Sequence, residues 1–255
     1  MYKTFTAEEY KKFLGLPEDY KVDGMLCYGT WDKEKQIKIF KEILKDTGKN
    51  FTYGTLPNFL ERLVEFSIDG KTFWFDVSYG GALLSEYLHL ACLFGSKNNI
   101  LLGSCGGLNE KIDSLDLVIP TYSFGNESPT RMYNPAASDN NHHADIHLSQ
   151  DLKSIIDQKY TVWEGPTTTC QAMMAETLED VQSWSQAGFL GVEMEAATIF
   201  AVSKHFNVPA AALLVVGDNL IKGETVASES YQNNKIEKQA VRNEQYRVAL
   251  QVLLA

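Results

Sequence analysis

Arginine is scarce in this 255-residue chain, which carries only Arg62, Arg131, Arg242 and Arg247. With 23 basic against 33 acidic side chains, the formal charge is −10. A nucleic-acid surface, which needs clustered positive charge, is therefore not expected. Cysteine is sparse too. Cys27, Cys92, Cys105 and Cys170 lie far apart, each in or beside an apolar stretch and none in a CxxC pair. That pattern reads as reduced core thiols rather than a disulfide framework or a zinc site. No apolar run approaches the length of a bilayer span, and the opening MYKTFTAEEYKKF lacks the apolar centre of a signal peptide. The expectation is a cytoplasmic protein with a small-molecule ligand and no membrane partner.

What is present is core. Hydrophobic residues make up 44% of the chain, ample for one large α/β domain. Residues 1–21 are polar and punctuated by Pro17, so they read as an arm or short helix before a domain spanning 22–255. Met25 to Tyr28 is a short apolar strand ended by Gly29, and Ile37, Phe40 and Leu44 then repeat at helical spacing. Phe51 to Phe75 alternates around Asp69-Gly70, a hairpin signal. Tyr79-Gly80-Gly81 leads into a helix marked by Leu84, Leu88 and Ala91. A strand at Asn99 to Leu102 enters the loop Gly103-Ser104-Cys105-Gly106-Gly107, whose glycines either cradle a polar ligand or permit a tight strand crossing. Asp116 to Pro120 is the next strand, followed by a polar loop from Thr121 to Asn141. A helix near Leu148 to Gln158, a strand near Tyr160 to Glu164 and a helix from about Ala175 to Gln186 follow. The chain closes with a polar stretch, Lys222 to Lys235, and a terminal helix from about Ile236. Helices alternate with strands throughout, so the fold class is α/β with a mixed central sheet.

The stretch from Gly191 to Leu220 organises the rest. Val192, Ala196, Ile199, Val202 and Phe206 recur at helical spacing, and the apolar run Ala210 to Val216 suits a strand covered on both faces. Gly217-Asp218-Asn219 ends that strand. Ligands in open α/β sheets gather beyond the carboxyl ends of strands, which places Asp218 at a candidate site with Glu193 and Glu195 facing it. On residue type alone, Asp218 serves equally as a turn residue, and the glutamates as complements of the helix dipole.

The ordered set Gly29, YGG at Tyr79 to Gly81, LLGSCGGL at Leu101 to Leu108, DLVIP at Asp116 to Pro120, GVEMEA at Gly191 to Ala196 and VVGDN at Val215 to Asn219 resembles the nucleoside phosphorylase-I family, over roughly residues 22 to 255. Gly125 to Pro135, GNESPTRMYNP, is similar to the EGTSxxYxP loop of one branch, with the glycine-threonine pair lost. The resemblance implies a single α/β domain around a mixed, partly closed sheet. It also implies assembly as a trimer, hexamer or dimer, and no metal or organic cofactor. Phosphate would be the co-substrate of a phosphorolytic member.

The resemblance further implies site roles. Glu195, with the Met194 backbone beside it, would accept the ribose 2′ and 3′ hydroxyls, and those bonds strengthen as the sugar becomes cationic. Asp218 would protonate or hydrogen-bond N7 so that the base leaves neutral. Ser104 would contact the nucleophile near Gly29. Cys105 and Gly106 would line the base pocket, Val192 and Glu193 would pack near the base, and Tyr79 would stand on the ribose face.

The departures matter as much. Phosphorolytic members of the purine branch carry an arginine after the glycine turn and another three residues before the loop serine; here the first is absent from TWDKEK and the second is Leu101. Lys33, Lys35, Arg131 or a neighbouring subunit could supply the missing charge. Asp32 or Glu34 stands near where the family's nucleosidases place the glutamate that activates water. Met174 and Ala175 replace an aromatic-arginine pair on the base side. His142, His143, Asp145 and His147 could hold zinc or nickel, or be surface loop residues. The favoured expectation is phosphorolysis of a purine nucleoside; a nucleosidase and a non-catalytic nucleoside-binding protein are the alternatives.

Overall fold

The computed structural model describes residues 1–135, 139–229 and 235–255. Parts of the expected loop (136–138) and of the expected polar stretch (230–234) lie outside the described residues. The first helix, α1 (Ala7–Leu14), is fixed by a reciprocal cap. The Thr6 hydroxyl accepts the Glu9 amide at 3.2 Å, and the Glu9 carboxylate accepts the Thr6 amide at 2.7 Å. Leu14 is buried in the main core, so the expected arm carries a docked helix.

Strand β1 (Gly24–Gly29) feeds α2 (Lys33–Asp46), then β2 (Phe51–Tyr53), and the hairpin β3 (Val64–Ile68) and β4 (Lys71–Ser78). Asp69 and Gly70, at φ 53° and 78°, make the tight turn between them. Helix α3 (Gly81–Leu93), β5 (Asn99–Gly107), β6 (Leu117–Phe124), α4 (Ser128–Tyr133), β7 (Asn141–His143) and α5 (Ile146–Ile155) come next. After them run β8 (Val162–Thr169), α6 (Leu178–Gln186), β9 (Gly191–Glu193), α7 (Ala196–His205), β10 (Ala210–Asn219) and a C-terminal helix α8 (Lys235–Leu253).

The strands join in one mixed sheet of order β10-β6-β8-β9-β5-β1-β4-β3-β2, and β10 also pairs with β5. That extra pairing closes β5, β9, β8, β6 and β10 into a ring, from which β1, β4, β3 and β2 extend as an open wing. The partly closed sheet expected from the family resemblance is thus present. Neighbouring residues in β1 and β4 face opposite ways, and both faces are covered. Leu26 and Phe75 pack with Phe40 and Tyr246 on one side, while Met25 and Trp74 pack with Leu84 and Phe200 on the other. The ring interior holds Cys105, Ile112, Val118, Leu214 and Val216.

Three local expectations change. The glycine-rich stretch after Leu102 is the second half of β5, not a loop, because it pairs with both β10 and β9. The stretch Thr121 to Asn141 contains the end of β6 and all of α4. The histidine segment forms β7 against β6, so its side chains alternate rather than converge. His142 is buried with Nε2 3.1 Å from the Gly125 carbonyl, His143 is exposed beside Tyr122, and Asp145 caps α5 by accepting the Leu148 amide. Among the described residues no cluster of His, Cys, Asp or Glu side chains is arranged to hold a metal ion.

Helices α3 and α7 cross closely at Gly81, where a Cβ would lie 2.0 Å from the Thr198 hydroxyl oxygen and 2.9 Å from its Cβ. Both elements carry site residues at their starts. Gly81→Ala should therefore lower Tm by roughly 3–10 °C through overpacking, measured by thermal unfolding; an unchanged Tm would mean that the crossing has slack.

Candidate active site

The sequence GVEMEA places two glutamates two residues apart with opposite occupations. Glu193 ends β9 with its carboxylate turned inward. One oxygen accepts the amides of Glu195 at 2.7 Å and Ala196 at 2.5 Å, and the other accepts Ser123 Oγ at 3.1 Å and Thr169 Oγ1. Glu193 thereby caps the start of α7, and its oxygens are committed to protein donors rather than offered to a base.

Glu195, released by that cap, points the other way. Its Oε1 accepts the Gly80 amide at 2.6 Å. Gly80 sits at φ 83°, a conformation open to glycine, and this aims its N–H at the carboxylate. Gly29 serves differently: a Cβ there would lie 2.3 Å from Glu195 Oε2, so only a bare Cα lets the carboxylate lie against β1. Burial first, and then the adjacent Glu193 charge, raise the Glu195 carboxyl to about 8.

Asp218 lies on the rim of the ring. The register aligns it with Gly106 on β5, and Gly106 with Val192 on β9, giving a floor of Asp218, Gly106 and Val192. A register shift between Val216 and Asp218 sets the angle of the acid. Asn219 fixes the turn beyond it: its amide group donates to the carbonyls of Asn109 at 2.9 Å and Ile112 at 2.8 Å, and its side-chain oxygen accepts from the Ile221 and Lys222 amides. Burial raises the Asp218 carboxyl to about 6, with Lys238 of α8 opposing the rise and Glu224 adding to it.

Ser104 is exposed, level with Val215 of β10. Cys105, its neighbour, faces the ring interior, so the cysteine side chain expected to line the base pocket is turned away from the rim. From α8, Gln245 Nε2 donates to the carbonyls of Gly103 at 2.9 Å and Leu213 at 2.7 Å. It clasps together the two strands that carry Ser104 and Asp218. Tyr79 is 47% exposed, and its hydroxyl is 4.0 Å from Met173 Sδ. Met194 is half-buried beside Glu195.

On the wing side, Gly29 pairs with Gly103 and with Ser78, so the ends of β1, β5 and β4 meet. Here lies a residue that the sequence reading missed. Asp76 interrupts the buried strand FWFDVS, accepts Ser78 Oγ at 2.5 Å, and is raised to about 6 mainly by burial, against the opposing charges of Lys33 and Arg62. Burial and the nearby Arg62 push Lys33 down, while Asp76 and Glu61 hold it up. The charges of Lys33 and of exposed Arg62 therefore both act on a buried carboxylate two residues before the Ser78 that pairs with Gly29. Asp32 is occupied as the cap of α2, accepting the Lys35 amide at 3.3 Å, and Glu34, Lys35 and Arg131 are exposed. The missed signal was a carboxylate inside an otherwise apolar strand. Nothing in the spacing pointed to Arg62 or Lys238.

The raised carboxyl of Glu195 has a cost in stability whose sign is set by linkage. The unfolded chain ionises near 4.5 and the folded one near 8, so stability is full below the first value, is lost as pH rises to the second, and stays low above it. Glu195→Gln should raise Tm at pH 9 by roughly 4–10 °C and leave it unchanged near pH 4.5; a shift that ignored pH would refute the charge penalty. Gly29→Ala, which collides with the same carboxylate, should lower activity without help from any pH.

The model of the phosphorylase superfamily matches residues 82–253. A DeoD-type purine nucleoside phosphorylase of Clostridium beijerinckii is 31% identical over 146 residues, which is 54% of this chain and 59% of that protein. One from Alkaliphilus metalliredigens is 29% identical over 162 residues, 61% of this chain and 64% of that protein. A guanosine phosphorylase of Halorubrum lacusprofundi is 28% identical over 140 residues, 53% of this chain and 56% of that one. The chain thus spans about three fifths of the length of these relatives. A crystal structure of uridine phosphorylase from Vibrio fischeri, in complex with 6-hydroxy-1-naphthoic acid, superposes with a TM-score of 0.71 at 17% identity and covers 94% of this chain and 93% of that one. The match covers most of the chain and includes the strands that carry Ser104 and Asp218 and the start of α7 that carries Glu195: the chain belongs to the phosphorylase superfamily.

Proposed function

We propose that the protein cleaves the N-glycosidic bond of a purine nucleoside by phosphorolysis, releasing free base and ribose 1-phosphate. A phosphate oxygen forms a bond to C1′ as the C1′–N9 bond breaks, the bonding pair goes to the base, and a proton from Asp218 neutralises it at N7. Glu195 accepts the ribose hydroxyls, and its bonds to them tighten as the sugar takes on positive charge. The raised carboxyl of Asp218 supports its role as acid. The purine-phosphorylase relatives favour a purine over a pyrimidine.

The choice of nucleophile rests on the corner beside Gly29. Lys33 and Arg62, set against buried Asp76, supply the positive charge that a phosphate dianion needs where Leu101 cannot. Water activation has weaker support, because Asp32 is engaged as a helix cap and Glu34 faces solvent. Ser104 stands on the neighbouring strand to orient the phosphate.

Incubation with adenosine, inosine and guanosine, with and without phosphate, should give ribose 1-phosphate only with phosphate; free ribose in phosphate-free buffer would establish the nucleosidase instead, and no turnover at all the binding protein. Lys33→Ala should raise the KM for phosphate roughly tenfold or more while leaving the nucleoside KM within about threefold, the scale of one charge-assisted hydrogen bond. The pH profile carries the third test. Catalysis needs Asp218 protonated, a state lost as pH rises through about 6, and Glu195 ionised, a state gained as pH rises through about 8. The rate should be flat between those values and fall on both sides, as macroscopic constants of the pair. Asp218→Asn should cut turnover about a hundredfold and abolish the fall at high pH; survival of that limb would remove Asp218 from the acid role.

A further inference from the structure

The C-terminal helix reaches the sheet beneath Ser104 through two adjacent side chains. Strand alternation sets the geometry. Leu26 and Tyr28 of β1, Ile100 and Leu102 of β5, and Leu213 and Val215 of β10 all face the core that α2 and α8 cover. The register sets Tyr28, Leu102 and Leu213 in one row across these strands, and Ser104 with Val215 in the next row along. Ser104 therefore stands on the α8 side of the sheet, directly beyond its last apolar row.

Gln245 and Tyr246 of α8 both meet that row. Gln245 is fully buried, and its amide group donates to the carbonyls of Leu213 and of Gly103, the residue before Ser104. Its Oε1 is buried with no hydrogen-bond partner among the described residues. A glutamine that leaves an acceptor unmet is costly, so the side chain is held there for its donors. Tyr246, also fully buried, stacks on Tyr28, the residue before Gly29, with ring centroids 5.3 Å apart and planes inclined by 21°. Its hydroxyl donates to Gln36 Oε1 at 3.0 Å. Gln36 is buried three residues after Lys33, a spacing that puts both on one face of α2. That hydrogen bond fixes how the first turn of α2 sits over β1.

We propose that Gln245 and Tyr246 are positioning residues for the nucleophile, Gln245 acting through Ser104 and Tyr246 through Lys33, so that both groups meet one phosphate. The proposal rests on the phosphorolytic reading above. Glu195 and the Gly80 amide that holds it belong to the starts of α7 and α3, helices that cover the opposite face of the sheet. The nucleoside side of the site is therefore outside the reach of this pair.

The test measures kcat and the separate KM values for phosphate and inosine in Tyr246→Phe and Gln245→Leu, alone and combined with Lys33→Ala or Ser104→Ala. Tyr246→Phe removes one hydroxyl and keeps the stack. Each single change should raise the KM for phosphate about 3- to 10-fold, the scale of one or two hydrogen bonds, and leave that for inosine within about twofold. The couplings decide the assignment. Tyr246→Phe should lose its effect once Lys33 is replaced and keep it once Ser104 is replaced; Gln245→Leu should show the reverse. Additive effects in both backgrounds, an equal rise in both KM values, or a lowered Tm with unchanged kinetics would each make the pair structural and overturn the proposal. Where Gln245→Leu does not fold, the cycle of Tyr246→Phe with Lys33→Ala decides alone. Phosphate-dependent turnover in the wild type with unaltered constants in Tyr246→Phe removes only this assignment, whereas wild-type release of base without phosphate removes the phosphorolytic reading with it.

Discussion

A carboxylate buried beside another carboxylate, with backbone amides in place of a counter-ion, is the constraint on which this structure turns. Glu195 is tolerable because Glu193 has already been satisfied by two amides and two hydroxyls, and because Gly80 offers its amide from the far side. Gly29 is a glycine for the same reason, since its missing Cβ is the space that the carboxylate fills. Strands β1, β6, β8 and β9, the start of α7 and the residue before α3 thus all take part in holding one oxygen pair. The arrangement works against folding at neutral pH, as strained functional sites generally do. On the proposed reading, a sugar with two hydroxyl donors would relieve it.

The charges around the crevice follow a common logic. Asp76, Glu195 and Asp218 are all pushed up by burial, while Lys33 and Lys238 are pushed down. In each case desolvation is the largest influence; a nearby opposite charge resists it at Asp76, Asp218, Lys33 and Lys238, whereas at Glu195 only backbone amides do. The chain is short of arginine yet places cations at both ends of the crevice, with Lys33 and Arg62 near Gly29 and Lys238 near Asp218. On the proposed reading, the first pair would meet the phosphate dianion and the last cation would stand beside the departing base.

Much of the fold was legible in the residues. The apolar runs of β1 and β10, the Asp69-Gly70 hairpin and the helical spacing of α2, α3 and α7 depend on local pattern, and all appear. What the pattern hid was pairing: Gly103 to Gly107 read as a loop because glycines usually mark one, whereas partner strands on both sides make it strand β5. The same blindness affected β7 and the end of β6. At the site, Glu195, Asp218 and Ser104 stood in the motifs, but the division of labour between Glu193 and Glu195 needed coordinates. So did Cys105, whose direction is fixed by strand alternation. Asp76, Arg62, Lys238 and Gln245 act across distances in sequence that no local spacing encodes.

The clasp that Gln245 makes on Gly103 joins residues 142 positions apart. The rim is complete only when the last helix has docked, so a chain still emerging from the ribosome carries the strands of the site without the site. A molecule held between Ser104, Glu195 and Asp218 would therefore bind the finished topology and nothing earlier. Its free energy would add to the barrier against global opening, so the concentration of the ligand would govern how long each copy of the protein survives proteolysis.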